Sequence, residues 1–205
     1  MTLDQALELC PLVAILRGVE PGEVVAHCEA LHAAGIRAVE IPMNSPSPLD
    51  SVARAVAAVG DRMAVGAGTV LTVAAVDGLK AAGGVYMVSP DVDPPVLAHA
   101  VAVGLDTLPG FATATEAFAA VAAGARRLKL FPAATYGPGH LKALKAVLPR
   151  EVGVWAVGGV GPAQMADWKA AGAAGFGLGS ELYRPGQTPE DTGAKARAAV
   201  AAWAG

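Results

Sequence analysis

The chain has 205 residues, of which 54% are hydrophobic and 16% are charged. This composition excludes an intrinsically disordered protein and supplies enough apolar side chains for one large core. The 15 basic and 18 acidic residues give a net charge of −3, which argues against nucleic acid as a main partner because a phosphate backbone requires a basic face.

Short apolar runs recur along the chain at a nearly constant interval, and each is followed by a turn and an Ala-rich amphipathic stretch. Such alternation is typical of βα units and a parallel sheet. The predicted strands are 12–16, 36–41, 63–67, 85–88, 105–108, 128–131, 152–157 and 174–178. The predicted helices are 23–34, 49–59, 73–82, 95–103, 115–123, 139–147, 162–171 and 189–203.

Eight βα units of roughly 25 residues each fit a (β/α)8 TIM barrel. We therefore expect a single α/β domain over residues 1–205, with an extra N-terminal helix at residues 3–9 that covers the barrel floor. A doubly wound open sheet is the alternative fold. It requires a GxGxxG segment that opens a helix after the first strand, and this sequence contains none.

Cysteine usage and the N-terminal segment predict a protein of a reducing compartment. Cys10 and Cys28 form no CxxC pair, and two cysteines do not make a disulfide framework. The first residues lack the basic flank and the apolar core of a signal peptide, and no uncharged apolar stretch approaches the length of a membrane span. We expect a cytoplasmic protein that does not associate with membranes.

Two charged residues stand near the carboxyl ends of predicted strands, where the reactive groups of a TIM barrel lie. Lys129 is flanked by Leu128 and Leu130 and should point into the barrel, where desolvation and the nearby Arg17 favour the neutral amine that attacks a ketone. Glu40 is a candidate for proton transfer. The alternatives are that Lys129 only forms a salt bridge with Glu40 or binds a substrate carboxylate, and that Glu40 is only an ion-pair partner of Lys129 or Arg17.

Other strand ends carry candidate binding residues. Arg17 suits a bidentate contact with a carboxylate, with a rim salt bridge as the alternative. Thr69 follows a Gly-Ala-Gly turn that lets a ligand approach the backbone, with a helix cap as the alternative. Glycine-containing turns end the seventh and eighth strands, where TIM barrels commonly bind phosphate. These predicted phosphate contacts are Gly158, Gly159, Gly179 and Ser180.

Motifs of several other chemistries are absent from the sequence. The four histidines show no HxH or HExxH spacing, and there is no GxSxG or GxxxxGK[ST] segment. The acidic residues do not cluster as metal ligands. We expect neither a metal nor a cofactor. A role for Tyr136 or His140, which follow the sixth predicted strand, stays open.

Six segments resemble motifs of the KDPG/KHG aldolase family, in register across essentially the whole chain. They are PLVAILRG at 11–18, VEIP at 39–42, GAGTVL at 66–71, PGFAT at 109–113, LKLFP at 128–132 and VGG at 157–159. The family consists of class I aldolases that cleave phosphorylated 2-keto-3-deoxy sugar acids without a metal, and its members are usually homotrimers. The resemblance therefore implies a Schiff-base aldolase with a TIM-barrel fold and a homotrimeric assembly.

Carried over residue by residue, the resemblance assigns a role to each candidate. Lys129 matches the Schiff-base lysine of the family, and Glu40 matches its acid/base residue. Arg17 and Thr69 match residues near the pyruvate carboxylate. The remaining substrate-binding positions that it implies are Pro109, Gly110, Phe131, Gly158, Gly159, Gly179 and Ser180.

Two departures from the gluconate-type branch of the family point to a galactonate-type substrate. Asn44 stands where that branch carries an arginine, so Arg17 is expected to bind the carboxylate. Val157 replaces a threonine and cannot donate a hydrogen bond to a substrate hydroxyl. The alternatives are the gluconate epimer as substrate, an isomerase or epimerase in which Glu40 is a base, and an inactive barrel that only binds a sugar-acid phosphate.

Overall fold

Parallel strands alternate with helices throughout the computed structural model, which describes residues 1–205. The strands are β1 Leu12–Ile15, β2 Ala38–Pro42, β3 Ala64–Gly68, β4 Tyr86–Val88, β5 Asp106–Leu108, β6 Gly110–Phe111, β7 Arg127–Leu130, β8 Gly153–Val157 and β9 Gly175–Leu178. The helices are α1 Leu3–Leu9, α2 Val24–Ala33, α3 Pro48–Val59, α4 Val73–Ala81, α5 Pro94–Ala102, α6 Ala114–Ala122, α7 Ala133–Lys145, α8 Met165–Ala170 and α9 Pro189–Ala204.

The strands form one parallel sheet in the order β5-β4-β3-β2-β1-β9-β8-β7-β6. Its two edges, β5 and β6, are consecutive in the chain and are separated only by Pro109, so the chain itself closes the ring. The predicted (β/α)8 barrel is confirmed. The ninth strand arises because the predicted fifth strand continues beyond Pro109, with β5 paired to β4 and β6 paired to β7.

Residues along each strand alternate between two apolar cores. On β1, Leu12 and Ala14 pack in the outer core between the barrel and the helices, whereas Val13 and Ile15 belong to the smaller core inside the barrel. This alternation follows from the two-residue period of side chains along a strand. It determines which polar residues of the strands face the interior.

Helix α1 closes the amino end of the barrel. Leu3, Ala6 and Leu7 pack into the inner core together with Ala38 and Ala64, the first residues of β2 and β3. The side chain of Thr2 accepts a hydrogen bond from the amide of the third helical residue and fixes the start of this helix. The predicted N-terminal helix on the barrel floor is confirmed.

Two helices differ from the prediction by more than one residue at an end. Helix α7 spans Ala133–Lys145, but the backbone of Gly137 is non-helical, with φ 79° and ψ 165°, and separates an unpredicted helical turn from the segment that corresponds to the helix predicted at 139–147. The helix predicted at 162–171 opens with a short 3₁₀ turn over Pro162–Gln164 and then continues as α8. None of the helices combines the length and the apolar character that crossing a lipid bilayer requires.

Candidate active site

Lys129 and Glu40 are the two charged strand residues whose side chains are buried. On β7, Leu128 and Leu130 pack in the outer core, so Lys129 between them faces the interior, where it is only 5% exposed. Glu40 of β2 is 2% exposed. Charged groups buried to this extent are costly unless they are paired or have a function.

The ammonium group of Lys129 lies in a site that disfavours its charge. Burial lowers the pKa of Lys129, the charge of Glu40 opposes this effect, and Arg17 adds to it. Its Nζ forms no ion pair within 4.0 Å and lies 4.7 Å from the centroid of the Phe131 ring. Burial therefore makes the neutral amine, which is the form that adds to a carbonyl group, more accessible than it is for a lysine in water.

The pKa of Glu40 is shifted in the opposite direction from that of Lys129. Burial raises the pKa of Glu40, and the charges of Lys129 and Arg17 partly counteract this. Its Oε2 has no hydrogen-bond partner, and a Cβ on Gly68 would collide with that oxygen. Glu40 forms an ion pair with neither Lys129 nor Arg17, so the structural alternative considered for it is not what the structure contains.

A cleft of about 320 Å³ opens above Lys129 at the carboxyl ends of β1, β7, β8 and β9. It brings together seven of the predicted site residues, namely Arg17, Lys129, Phe131, Gly158, Gly159, Gly179 and Ser180. Ile15, Val157 and Gly177 contribute to its inner wall. The cleft therefore joins a reactive amine to several backbone amides.

The glycine-containing turns give the cleft the chemistry of an anion site. Gly158 and Gly159 have φ values of 96° and 72°, a conformation that other residues rarely adopt. The amides of Gly159 and Ser180 have no acceptor within the protein, and such amides bind phosphate oxygens. A Cβ on Gly179 would meet nothing within 4 Å, so the cleft is open at this position.

Arg17 lies at the rim and connects two strand-end loops. Its Nη1 donates a hydrogen bond of 2.5 Å to Oδ1 of Asn44, and the amide of the adjacent Gly18 donates to Oγ of Ser45 at 2.9 Å. Arg17 itself is exposed, and it takes part in no salt bridge. Its guanidinium group is therefore free to bind a carboxylate.

Thr69 adopts an unusual backbone conformation directly after β3. Its φ is 55°, a value that carries strain for a β-branched residue and is found mainly at functional sites. The cap of α4 is Thr72, whose side chain accepts a hydrogen bond from the amide of Ala75. Thr69 is therefore not the helix cap that was considered as the alternative, and it does not line the cleft above Lys129.

Pro109 and Gly110 also lie outside the cleft and contact the backbone of the lysine instead. The amide of Lys129 donates to the carbonyl oxygen of Pro109 at 2.8 Å, and Gly110 pairs with Lys129 in the sheet register. A side chain on Gly110 would collide with the backbone of Pro90. These residues fix the position of Lys129 along the barrel axis.

Tyr136 and His140 tie the segment after β7 to the segment after β6. Their rings stack at a centroid distance of 4.9 Å, and Nε2 of His140 lies 2.6 Å from the carbonyl oxygen of Ala112. Neither residue lines the cleft.

Two residues near the site were not predicted. Glu181 lines the cleft because the loop after β9 folds back, which has no sequence signal, and Tyr86 is buried inside the barrel.

Residues 3–193 of the chain match the sequence profile of the KDPG and KHG aldolase family. The chain belongs to this family. It is 51% identical to the 2-dehydro-3-deoxy-6-phosphogalactonate aldolase of Escherichia coli (strain K12) over 193 residues, which are 94% of this chain and 94% of that protein. This aldolase is therefore an enzyme that cleaves a carbon–carbon bond, as the motifs predicted.

Solved structures similar to this aldolase agree in fold over nearly its whole length. The structure described as native KDPGal has a TM-score of 0.93 and 50% sequence identity, and the match covers 95% of this chain and 94% of that chain. A cube-shaped, porous protein cage designed by fusing symmetric oligomeric domains also has a TM-score of 0.93 and 50% identity, covering 94% of this chain and 72% of that chain.

Proposed function

We propose that this chain is a class I aldolase that cleaves 2-dehydro-3-deoxy-6-phosphogalactonate into pyruvate and D-glyceraldehyde 3-phosphate. The observation that carries the proposal is Lys129, a buried lysine without an ion pair whose pKa is lowered and which lies beneath an open cleft. A 51% identical relative with this activity in its name supports the substrate.

In the proposed reaction, the neutral amine of Lys129 attacks the C2 ketone of the substrate. The hydroxyl group of the resulting carbinolamine takes up a proton from solvent and leaves as water, which gives a protonated imine; the later hydrolysis of the imine returns this proton. The imine then accepts the electron pair of the C3–C4 bond as that bond breaks, so the enamine of pyruvate remains on the lysine. Because the imine is the electron sink, this route requires neither a metal nor a cofactor.

Glu40 transfers the protons in this scheme. Its carboxylate removes the proton of the C4 hydroxyl group while the C3–C4 bond breaks, and glyceraldehyde 3-phosphate leaves as the aldehyde. The same carboxyl group returns the proton to C3 of the enamine. Water then hydrolyses the imine and releases pyruvate and Lys129. A buried carboxyl group with a raised pKa suits both steps.

The remaining site residues bind the two charged ends of the substrate. We assign the carboxylate to Arg17 and Thr69, and the phosphate to the turns after β8 and β9. Phe131 packs beside the lysine in this assignment, and Pro109 and Gly110, which lie outside the cleft, act by holding the backbone of Lys129. The predicted phosphate contacts are Gly158, Gly159, Gly179 and Ser180.

The galactonate-type substrate is favoured over the gluconate epimer by Val157. This side chain lines the cleft and has no hydroxyl group with which to contact the substrate. We expect a higher kcat/KM on the galactonate epimer when both epimers are assayed under the same conditions. A preference for the gluconate epimer would assign the chain to the other branch.

We further propose that the chain is a single domain that acts as a cytoplasmic homotrimer. The designed cage, which is built from symmetric oligomeric domains, supports an oligomer. Exposed apolar side chains before and along the adjacent helices α4, α5 and α6 offer a surface for a second subunit, including Leu71, Val101 and Phe118. Light scattering coupled to size-exclusion chromatography tests this with the expected mass of three chains.

Reductive trapping tests the proposed function. Incubation with pyruvate and borohydride should attach one pyruvate-derived group to Lys129, located by mass spectrometry of peptides. The matched control is Lys129→Arg, which keeps a positive charge but forms no imine and should stay unlabelled. An isomerase, an epimerase or a mere binding protein would gain no adduct. Labelling of another lysine such as Lys142, or of none, would contradict the proposal.

A further inference from the structure

Tyr86 is a buried polar residue to which the mechanism above assigns no role. It lies on β4, is completely buried inside the barrel, and its hydroxyl group has no hydrogen-bond partner in the protein. Buried hydroxyl groups are nearly always paired, and an unpaired one calls for an explanation. A phenylalanine would fill the same space without this cost.

The sheet register places Tyr86 in the same row as Glu40. Gly66 of β3 pairs with Glu40 on one side and with Tyr86 on the other. The two side chains are thus separated by two strand spacings of about 4.8 Å each. The only residue between them has no side chain.

The ring of Tyr86 occupies the space above Gly66. A Cβ on Gly66 would lie 2.6 Å from both Cδ1 and Cε1 of Tyr86. One edge of the ring therefore lies over Gly66 of β3, the strand between β4 and the strand β2 from which Glu40 enters the interior. The glycine is required for this arrangement because any side chain would displace the ring.

Glu40 also lacks a partner in this row. Its Oε2 is buried without a hydrogen bond, and the groups that act on it electrostatically are Lys129 from β7 and Arg17 from the end of β1. Tyr86 faces it from β4. The charges of Glu40 and, from α2, of Cys28 raise the pKa of Tyr86 further above the value that burial gives it. Tyr86 therefore remains a phenol and a hydrogen-bond donor.

We propose that Tyr86 is a positioning residue for Glu40, whose hydroxyl group donates a hydrogen bond to the carboxylate of Glu40 when this group is ionised. This inference rests on the proposed function, in which Glu40 accepts a proton during cleavage. The two groups are not bonded to each other in the structure. The bond forms when the ionised carboxylate turns toward the phenol, and it stabilises the form of Glu40 that acts as the base.

The test is the pH dependence of kcat in Tyr86→Phe. Loss of a donor to a carboxylate raises its pKa, so the acid limb of the profile should move to higher pH by about one unit, and kcat on that limb should fall about tenfold. KM should not change, because Tyr86 does not line the cleft. At a pH where Glu40 is protonated, the melting temperature should stay the same or rise, because there the wild type buries an unpaired hydroxyl group that the variant lacks.

Tyr183→Phe is the matched control. Tyr183 is also buried with an unpaired hydroxyl group, but its ring packs against His27 of α2 at a centroid distance of 4.8 Å, outside the barrel. The acid limb of the kcat–pH profile of Tyr183→Phe should coincide with that of the wild type. An unshifted limb in Tyr86→Phe, or an equal shift in Tyr183→Phe, would overturn the role of Tyr86.

Reductive trapping with pyruvate separates this inference from the proposed function. Wild type and Tyr86→Phe should both form the adduct on Lys129, because the phenol takes no part in imine formation. If both are trapped and the acid limb does not move, the positioning role is wrong and the aldolase mechanism stands. A wild type that is not trapped would overturn the mechanism, and the role of Tyr86 with it.

Discussion

Arg127 and Lys129 lie two residues apart on β7, but the two ends of this strand give them different neighbours. At the amino end, Arg127 forms ion pairs with Asp4 of α1 and with Asp106 of β5, the latter at 3.4 Å. Toward the carboxyl end, Lys129 has no ion pair. On the same strand, Arg127 thus has carboxylate partners whereas Lys129 has none, and we expect the unpaired amine to be the group that reacts.

Judged by volume alone, the depression at the amino end of the barrel would have been chosen as the candidate active site instead of the cleft at the carboxyl end. The depression at the amino end has a volume of about 800 Å³ and is lined by Asp4, Arg126, Arg127, Glu151 and other residues. The cleft above Lys129 has only about 320 Å³. The two depressions differ in the groups that line them. At the amino end Arg127 is paired with carboxylates, whereas the cleft contains the unpaired amine of Lys129 and backbone amides without acceptors. Active sites of TIM barrels lie at the carboxyl end.

The largest effect should come from Lys129→Ala. Without the amine no imine forms, so kcat for cleavage should fall by at least about 10⁴-fold, measured by coupling pyruvate release to lactate dehydrogenase. Circular dichroism establishes that the variant is folded. A rate near that of the wild type would show that the unpaired cation is not the reactive group.

Glu40→Gln should reduce kcat by about 10²- to 10⁴-fold, the usual contribution of a positioned general acid or base. The amide has nearly the same size and keeps the packing against Gly68, but it does not carry a proton between C4 and C3. Trapping with pyruvate should still label Lys129. A variant with normal kcat would show that proton transfer occurs elsewhere.

Arg127→Leu should affect stability and not activity. Removal of the guanidinium group leaves the half-buried Asp106 without this counterion and releases α1 from the floor, which should lower the free energy of unfolding by about 1–3 kcal/mol. Urea unfolding measures this value. The kcat of the folded variant should stay within about twofold of the wild type. A large loss of kcat would mean that the floor takes part in the reaction.

Lys129→Met should make the inactive protein more stable by about 0.5–2 kcal/mol near neutral pH, because a site adapted to reactivity is not optimal for stability. Burial lowers the pKa of Lys129. Between this lowered pKa and the ordinary lysine pKa the unfolded chain binds more protons, so wild-type stability rises with pH. The difference in free energy of unfolding between Lys129→Met and the wild type should therefore decrease as the pH rises through this range. An advantage that does not vary with pH would contradict this explanation.

Local sequence signals were sufficient for most of the fold. All eight predicted strands are present, since short buried runs between amphipathic stretches are a strong pattern. The division of the fifth strand at Pro109 was not predictable, because it depends on β5 and β6 pairing with different neighbours. Gly137 and Pro138 correctly indicated a helix boundary, since the backbone of Gly137 is non-helical, and only the helical turn that precedes it within α7 was missed.

The site was predictable to the extent that strand alternation determines it. Lys129 and Glu40 stood out because charged residues among apolar neighbours are unusual in a buried strand. Tyr86 follows the same alternation, but an aromatic residue in a strand is an ordinary core residue. What distinguishes it is the glycine that the register places beside it, and register is a property of the folded sheet.

The open space beside Gly179 has a consequence for how this enzyme can change. Gly158 and Gly159 are confined to glycine by their backbone conformation, whereas position 179 accepts a methyl group without any collision. A single nucleotide exchange that converts this glycine codon to alanine would make the cleft smaller. Selection for shorter aldehyde partners, in nature or in directed evolution, therefore has an unobstructed first step at this position.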